Sequence, residues 1–359
     1  MTNSTHKVEV VPVHLEVHPN ADTLSVVRVF GGYPCCVRTV DWQEGELGAY
    51  VPPDSVVDST RPEFAFLAGH ERIRAKRLRG QVSMGVLVKA PAGSKVGDDV
   101  AERLGVTHYE PPMRGGGPKP PRPPRFSFRH PFRFLWFCIS KPRAAAFYLF
   151  GIGYNSQGFT EKAPNLPAPY YDLEPLRRHV HVLQSGEPVF ITEKIHGANA
   201  RFCWEDGRMR AGSRTLWRRE SKGNPWWQAL AAHPEIVAFC KAHQDIAVYA
   251  EIYGDVQDLT YGEAGVKLRV FDLLQNGKWL NPVPARLIGI NLPWVPTVAE
   301  AMPFNAERVL ALADGPSLIP GAGHLREGVV VKPLAERIDS SCGRVCFKAV
   351  SVDYLERAK

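Results

Sequence analysis

Thr192-Glu193-Lys194-Ile195-His196-Gly197-Ala198-Asn199 joins two apolar, strand-like runs, Val189 to Glu193 and Ala200 to Trp204. Gly197 interrupts a strand and Asn199 tolerates unusual backbone angles, so the stretch makes a poor regular element and a suitable loop for bringing an amine to a ligand. Lysine is an unusual nucleophile, because its ordinary pKa of about 10.4 leaves few molecules uncharged at neutral pH. Nearby cations or a metal, helped by burial, are therefore expected to lower the pKa of Lys194. An isolated lysine is a solvated charge; this one needs companions.

The companions follow in order: Ser213-Arg214, then Tyr249-Ala250-Glu251-Ile252-Tyr253-Gly254, then Phe271-Asp272-Leu273, then Arg326-Glu327-Gly328-Val329-Val330-Val331-Lys332, then Phe347-Lys348. Glu251 lies in an apolar strand, where a carboxylate costs energy unless it meets a cation or a ligand hydroxyl. This ordered set resembles the covalent nucleotidyltransferases, the superfamily of polynucleotide ligases and mRNA capping enzymes. Lys194-x-His196-Gly197-x-Asn199 is similar to the RNA-ligase form of the first motif.

The resemblance implies an ATP-dependent RNA ligase that carries AMP on Lys194, and it implies roles for the other residues. Arg214 would hold ribose or phosphate, Glu251 the ribose hydroxyls, and Phe271 would stack on adenine. Glu327 would engage Mg²⁺ or Mn²⁺, and Lys348 would neutralise the α-phosphate. Glu193, Asn199 and Lys332 join the nucleotide-binding set. Strand alternation sets Lys332 on the face opposite Glu327, which leaves its role open. His196 reads as a scaffold residue that orders the loop. RNA ligases often carry Lys-x-Lys in the last motif, but Cys346 stands two residues before Lys348; either Lys348 acts alone or another cation, such as Arg344, helps.

Residues 7–100 read as short strands cut by Gly and Pro, among them Leu24 to Phe30, Pro34 to Val40, Leu47 to Val51 and Met84 to Val88, a pattern of small β-barrels. Within them, His18-Pro19-Asn20-Ala21-Asp22-Thr23-Leu24-Ser25 resembles the opening of OB-fold tRNA-binding modules. Alternation places Arg72, Arg74 and Lys76 on one strand face, either a protected basic edge or a nucleic-acid-binding surface. The resemblance as a whole is to a bacterial class of nick-sealing RNA ligase with an OB-like module ahead of the catalytic half. Eleven residues follow Lys348, too few for the downstream OB domain of DNA ligases and capping enzymes.

The expected fold is α+β: an OB-like β-barrel over 1–112, a basic Pro-rich linker over 113–165, and an adenylyltransferase domain of antiparallel sheets with flanking helices over 166–359. Expected helices are Asp172 to Val180, Pro225 to Gln244 and Ala306 to Asp314. The linker matters electrostatically. The chain of 359 residues carries +7, yet residues 113–143 hold eight Lys/Arg and no acid, and without them 36 bases face 37 acids. A positive charge gathered in one segment suits a phosphate backbone.

No secretory signal opens the sequence, and Lys141, Pro142 and Arg143 interrupt its most apolar run, so it reads as a cytoplasmic protein with no membrane span. Seven cysteines without a Cys-x-x-Cys pair read as free thiols rather than zinc ligands. The expected partner is RNA with 3′-hydroxyl and 5′-phosphate ends, as at a nicked duplex, and the expected state is a monomer. Two alternatives remain at this point, a GTP-dependent capping-type guanylyltransferase and an inactive RNA-binding protein.

Overall fold

The computed structural model describes residues 6–109, Ser140 and 160–357, apart from Gly31 and Lys222. The Pro/Gly-rich run expected as a linker at 111–131 falls outside the described residues, as does the aromatic-basic stretch after it, Ser140 aside. Among the described residues no helix is long and apolar enough to cross a membrane.

The N-terminal part is built from ten short strands: β1 (Glu9–Pro12), β2 (Glu16–Val17), β3 (Leu24–Val29), β4 (Tyr33–Arg38), β5 (Leu47–Val51), β6 (Ser55–Val56), β7 (Ala75–Leu78), β8 (Gln81–Met84), β9 (Val86–Lys89) and β10 (Thr107–His108). They pair as the ladders β1-β5-β9, β2-β3-β4, β7-β8 and β10-β6. Because successive side chains point to opposite faces, β1 sends Val10 into one apolar cluster with Phe64 and Leu104, and Val11 into another with Val27 and Tyr50. The strand expected over Met84 to Val88 is interrupted at Gly85, whose φ is +96°. A Cβ there would lie 2.5 Å from the Val51 carbonyl oxygen. The histidine-led motif is structural: the His18 ring bonds the Leu78 carbonyl at 3.1 Å, and Asn20 Nδ2 donates to the Arg79 carbonyl at 3.0 Å.

Two sheets form the rest. The first takes the order β11-β16-β15-β14-β17-β18-β19 from β11 (Thr160–Glu161), β14 (Ala198–Glu205), β15 (Arg208–Ser213), β16 (Trp217–Arg218), β17 (Ile246–Gly254), β18 (Val266–Gln275) and β19 (Lys278–Trp279). The second takes the order β12-β24-β21-β13-β20 from β12 (Glu174–Pro175), β13 (Pro188–Lys194), β20 (Thr297–Pro303), β21 (Gly328–Pro333) and β24 (Phe347–Val350). Between the last two, β22 (Ile338–Asp339) and β23 (Gly343–Arg344) make a small hairpin. The two-sheet unit thus takes in Thr160 and Glu161, which pair with Arg218 and Trp217, ahead of the expected boundary at 166.

Each sheet has one face under helices and one facing the other sheet. Ala200, Phe202, Ala250, Ile252, Leu268 and Val270 pack beneath the helices around Trp226 and Ile236. Val189, Ile191, Val329, Val331, Phe347 and Ala349 pack beneath the helix Ala306–Ala313. The inner faces meet in a third cluster with Tyr171, Cys203, Tyr249, Cys346, Phe271 and Val330.

Two expected helices differ. The one expected over 225–244 is two helices, Pro225–Ala232 and Pro234–Ala242. Pro234 has no N–H to give and its ring clashes with the preceding turn, so it starts a new helix. The helix expected over 172–180 is β12 followed by a single 3-10 turn, Leu176–Arg178, because Pro175 holds the chain extended.

Candidate active site

Strand register gathers most of the motif residues in the seam between the sheets. Thr192 pairs with Val330 and Val330 with Lys348, while Lys194 pairs with Gly328 at the strand ends. Partners directly opposite share a face, so Lys194, Val330 and Lys348 all look inward. From the other sheet Asn199 pairs with Glu251, and neither is in the helix-side core that holds their neighbours Ala200, Ala250 and Ile252.

Lys194 Nζ donates to Glu327 Oε1 at 2.7 Å. Burial pulls the lysine pKa down, but the nearby carboxylates of Glu327 and Glu251 push harder and leave it above the ordinary range. This corrects the expectation of a lowered pKa: in the free protein Lys194 is an ammonium, because its close neighbours are acids. Lys348 is the reverse case, held below the ordinary range by burial and by the charge on Lys194. Burial and Glu327 raise Glu251 to about 8, against the opposing pull of Lys194 and the Gly197 N–H.

His196 acts as the scaffold expected of it. Its Nε2 bonds Asp258 Oδ1 at 2.7 Å, its Nδ1 bonds the Tyr354 hydroxyl at 2.8 Å, and its backbone N–H donates to the Tyr261 hydroxyl at 2.7 Å. Gly197 is required by close approach, since a Cβ there would lie 2.2 Å from the Ile252 carbonyl oxygen. Arg214 pairs with Asp172. Both line a cavity of about 200 Å³ with Lys348, Arg177 and Arg178 on one side and His6, Tyr33, Asp54 and His108 of the N-terminal part on the other.

Three sequence expectations change. The Glu193 carboxylate accepts from Ser317 Oγ and the Leu318 N–H, both at 2.6 Å, and so braces a loop. The reason is strand alternation, which turns Glu193 away from the face that Lys194 occupies. Lys332 does face the seam, but Asp272 takes its Nζ at 3.0 Å, and its side chain is only 4% exposed. Arg72 is bound to Asp54 at 2.7 Å, with its guanidinium 3.6 Å from the Tyr109 ring centroid. Arg74 is half-buried, and of the three basic residues only Lys76 is fully exposed. Arg72→Ala is accordingly expected to lower the melting temperature by a few degrees, the loss of about 1 kcal/mol. Lys76→Ala is expected to leave it unchanged, and thermal melts of the two variants check this.

A divalent cation fits the residues present. Glu327 Oε2 and Asn199 Oδ1 are buried oxygens without a hydrogen-bond partner. Among the described residues no group of three or more His, Cys, Asp or Glu could hold an ion by itself. That combination suits Mg²⁺, which is commonly held by one or two carboxylates together with water and substrate phosphates.

Sequence reading missed Tyr171, Asp172, Ser317 and Tyr354. Asp172 was assigned to the start of a helix and Tyr171 lay just ahead of it; their position in Pro169-Tyr170-Tyr171-Asp172, between prolines 167, 169 and 175, was the available signal. Ser317 and Tyr354 carried none.

The RNA ligase family model matches residues 187–350, and an OB-fold domain matches residues 7–90. No curated protein matches the chain. Among solved structures, Naegleria gruberi RNA ligase with PPi is similar over 98% of this chain and 98% of its own, with 22% identity and a TM-score of 0.73. A mutant of that ligase with AMP and Mn gives 22% identity and a TM-score of 0.73 over 98% and 99% of the two chains. Another, with ATP and Mn, gives 22% and 0.72 over 98% of each. These structures share the fold. With the motif residues gathered in one seam and both matched regions in the expected order, residues 187–350 form a domain that matches the RNA ligase family, preceded by an OB-fold domain.

Proposed function

We propose that this protein is an ATP-dependent ligase that joins a 3′-hydroxyl to a 5′-phosphate in RNA, acting at nicks in duplexes. The observation that carries the reading is the Lys194 amine, fixed at a strand end against Glu327, with Glu251 and Lys348 near enough to shift its charge or be shifted by it.

Three displacements at phosphorus account for the chemistry. Lys194 Nζ, after losing a proton, attacks the α-phosphorus of ATP, and the bond to pyrophosphate breaks. A 5′-phosphate oxygen of RNA then attacks the same phosphorus and releases the lysine. Finally the 3′-hydroxyl oxygen attacks the 5′-phosphorus, expelling AMP and losing its proton. Dividing one hard displacement into easier ones is the gain from covalent catalysis.

Lys348 balances charge that builds on the α-phosphate, and Glu251 accepts from the ribose hydroxyls. Phe271 offers a half-buried ring to the base, Arg214 meets the ribose or a phosphate from the cavity wall, and Asn199 orders the loop. Mg²⁺ or Mn²⁺ held by Glu327 would neutralise the carboxylate that keeps Lys194 protonated and would polarise phosphate oxygens. Lys76 is an exposed cation on the proposed RNA-facing strand of the OB-fold domain.

The test is joining of a nicked RNA duplex with ATP or GTP in the presence of magnesium. Sealed product with ATP, in excess over GTP by about a hundredfold, is expected. Equal use of GTP, or no product from any pair of RNA ends, would remove the proposal.

A further inference from the structure

The seam holds a charge cluster that the roles above leave without a task. Asp272 is fully buried. Its Oδ2 accepts from Arg344 Nη2 at 2.7 Å, from the Tyr171 hydroxyl at 2.8 Å and from Lys332 Nζ at 3.0 Å. Arg344 also pairs with Glu336, so two cations meet two carboxylates. Arg344 and Lys332 hold the Asp272 carboxyl below the ordinary carboxylate range, in spite of its burial.

Asp272 reaches the seam through a bulge. The register of β17 on β18 slips between Ala250↔Val270 and Tyr249↔Asp272, leaving Phe271 as the extra residue. An extra residue changes the parity of a strand. Val270 and Leu273 therefore both stay in the helix-side core, while Phe271 joins the seam cluster and Asp272 reaches the Tyr171 hydroxyl there.

Tyr171 links the charges to the Phe271 ring. Its ring centroid lies 4.6 Å from that of Phe271 and 5.2 Å from that of Trp279, edge-on to the latter at 88°. The Arg344 guanidinium lies 4.0 Å from the Trp279 ring centroid, closing the stack. Cys346 Sγ is 3.5 Å from the Tyr171 hydroxyl. A lysine at 346 would push a longer chain and a third cation into the space Tyr171 fills.

We propose that Tyr171, Asp272, Lys332 and Arg344 are positioning residues that fix the Phe271 ring for stacking on the nucleobase, and that Cys346 replaces the family's lysine because Tyr171 occupies its place. Lys332 and Arg344 then act through Asp272 and make no contact with phosphate, leaving that work to Lys348. The inference rests on the reading of Phe271 as the base-stacking residue. A ring already held in place loses little freedom when a base arrives, and this appears as affinity rather than as rate.

The experiment measures AMP transfer to the full-length protein against ATP concentration, alongside thermal melts. Phe271→Ala is expected to raise KM for ATP. Tyr171→Phe, which keeps the ring and loses the hydroxyl's contacts with Asp272 and Cys346, is expected to raise KM about tenfold while kcat stays within about twofold. Arg344→Gln should do the same, and Arg344→Lys, which keeps a cation on Asp272, should stay near wild type. Cys346→Lys should raise KM, and adding Tyr171→Ala to it should recover affinity relative to Cys346→Lys alone. If Phe271→Ala raises KM while folded Tyr171→Phe and Arg344→Gln leave it unchanged, the positioning role is overturned and base stacking stands. If Phe271→Ala itself leaves KM unchanged, the stacking reading falls and the inference with it. A wild-type KM for Cys346→Lys overturns the account of Cys346.

Discussion

Lys194→Ala should abolish ATP-dependent joining, by more than about a thousandfold, while joining of RNA whose 5′ end already carries AMP should fall far less. The split follows from which atoms react. In the proposed sequence Lys194 Nζ receives AMP in the first displacement and leaves in the second, but in the third the nucleophile is the 3′-hydroxyl. Removing the amine also removes the 2.7 Å bond to Glu327, so some loss on the adenylated substrate, up to about a hundredfold, is expected as well. Joining assays on the two substrates in parallel measure the ratio. Equal loss on both, with the fold intact, would make Lys194 a structural partner of Glu327 and no nucleophile.

Gly197→Ala is the second large effect, and its cause is purely steric. The new Cβ would lie 2.2 Å from the Ile252 carbonyl oxygen and 3.0 Å from Glu251 Cγ, and the contact with backbone cannot be relieved by turning a side chain. Either the loop after β13 or strand β17 must move; the first directly follows Lys194 and the second carries Glu251. A displacement near 1 Å costs about a hundredfold in rate, and overpacking costs about 1–3 kcal/mol of stability. Gly223→Ala is the control, because nothing lies within 4 Å of its Cβ and it is expected to be neutral. Adenylation rates and melts of both variants check the contrast. Wild-type adenylation by Gly197→Ala would mean that the approach of the loop to β17 does not set the geometry.

Strand order and site content were legible to different degrees. Strands β13 and β14 follow from their apolar runs, with ends misplaced by one or two residues. Their motif residues fall on the inner faces because alternation is a local property. What local pattern cannot supply is the meeting of distant segments. Glu193 stands beside Lys194 in sequence and on the opposite face in space, where Ser317 and Leu318 meet it. Lys332 reads as a free cation until β18 brings Asp272 across the seam. The bulge at Phe271 changes parity without any Gly or Pro to announce it. Pro175 and Pro234 did announce themselves, and the helices drawn through them conflicted with proline's missing N–H.

Pairing also explains why the sign of the Lys194 shift differed from expectation. The motif sequence displays two lysines and an arginine around the site, which suggests repulsion that lowers the pKa. In the folded protein the nearest ionisable groups are acids, Glu327 foremost and Glu251 beyond it, so the amine is stored protonated. Activation then depends on whatever neutralises those carboxylates when substrate binds.

Intact-mass measurement of the purified protein after incubation with ATP and magnesium, alongside Lys194→Ala treated identically, tests the central claim most directly. The wild-type chain is expected to gain the mass of one covalently bound AMP and the variant none. An unmodified wild-type chain under magnesium and manganese alike, or an equal gain in the variant, would contradict it.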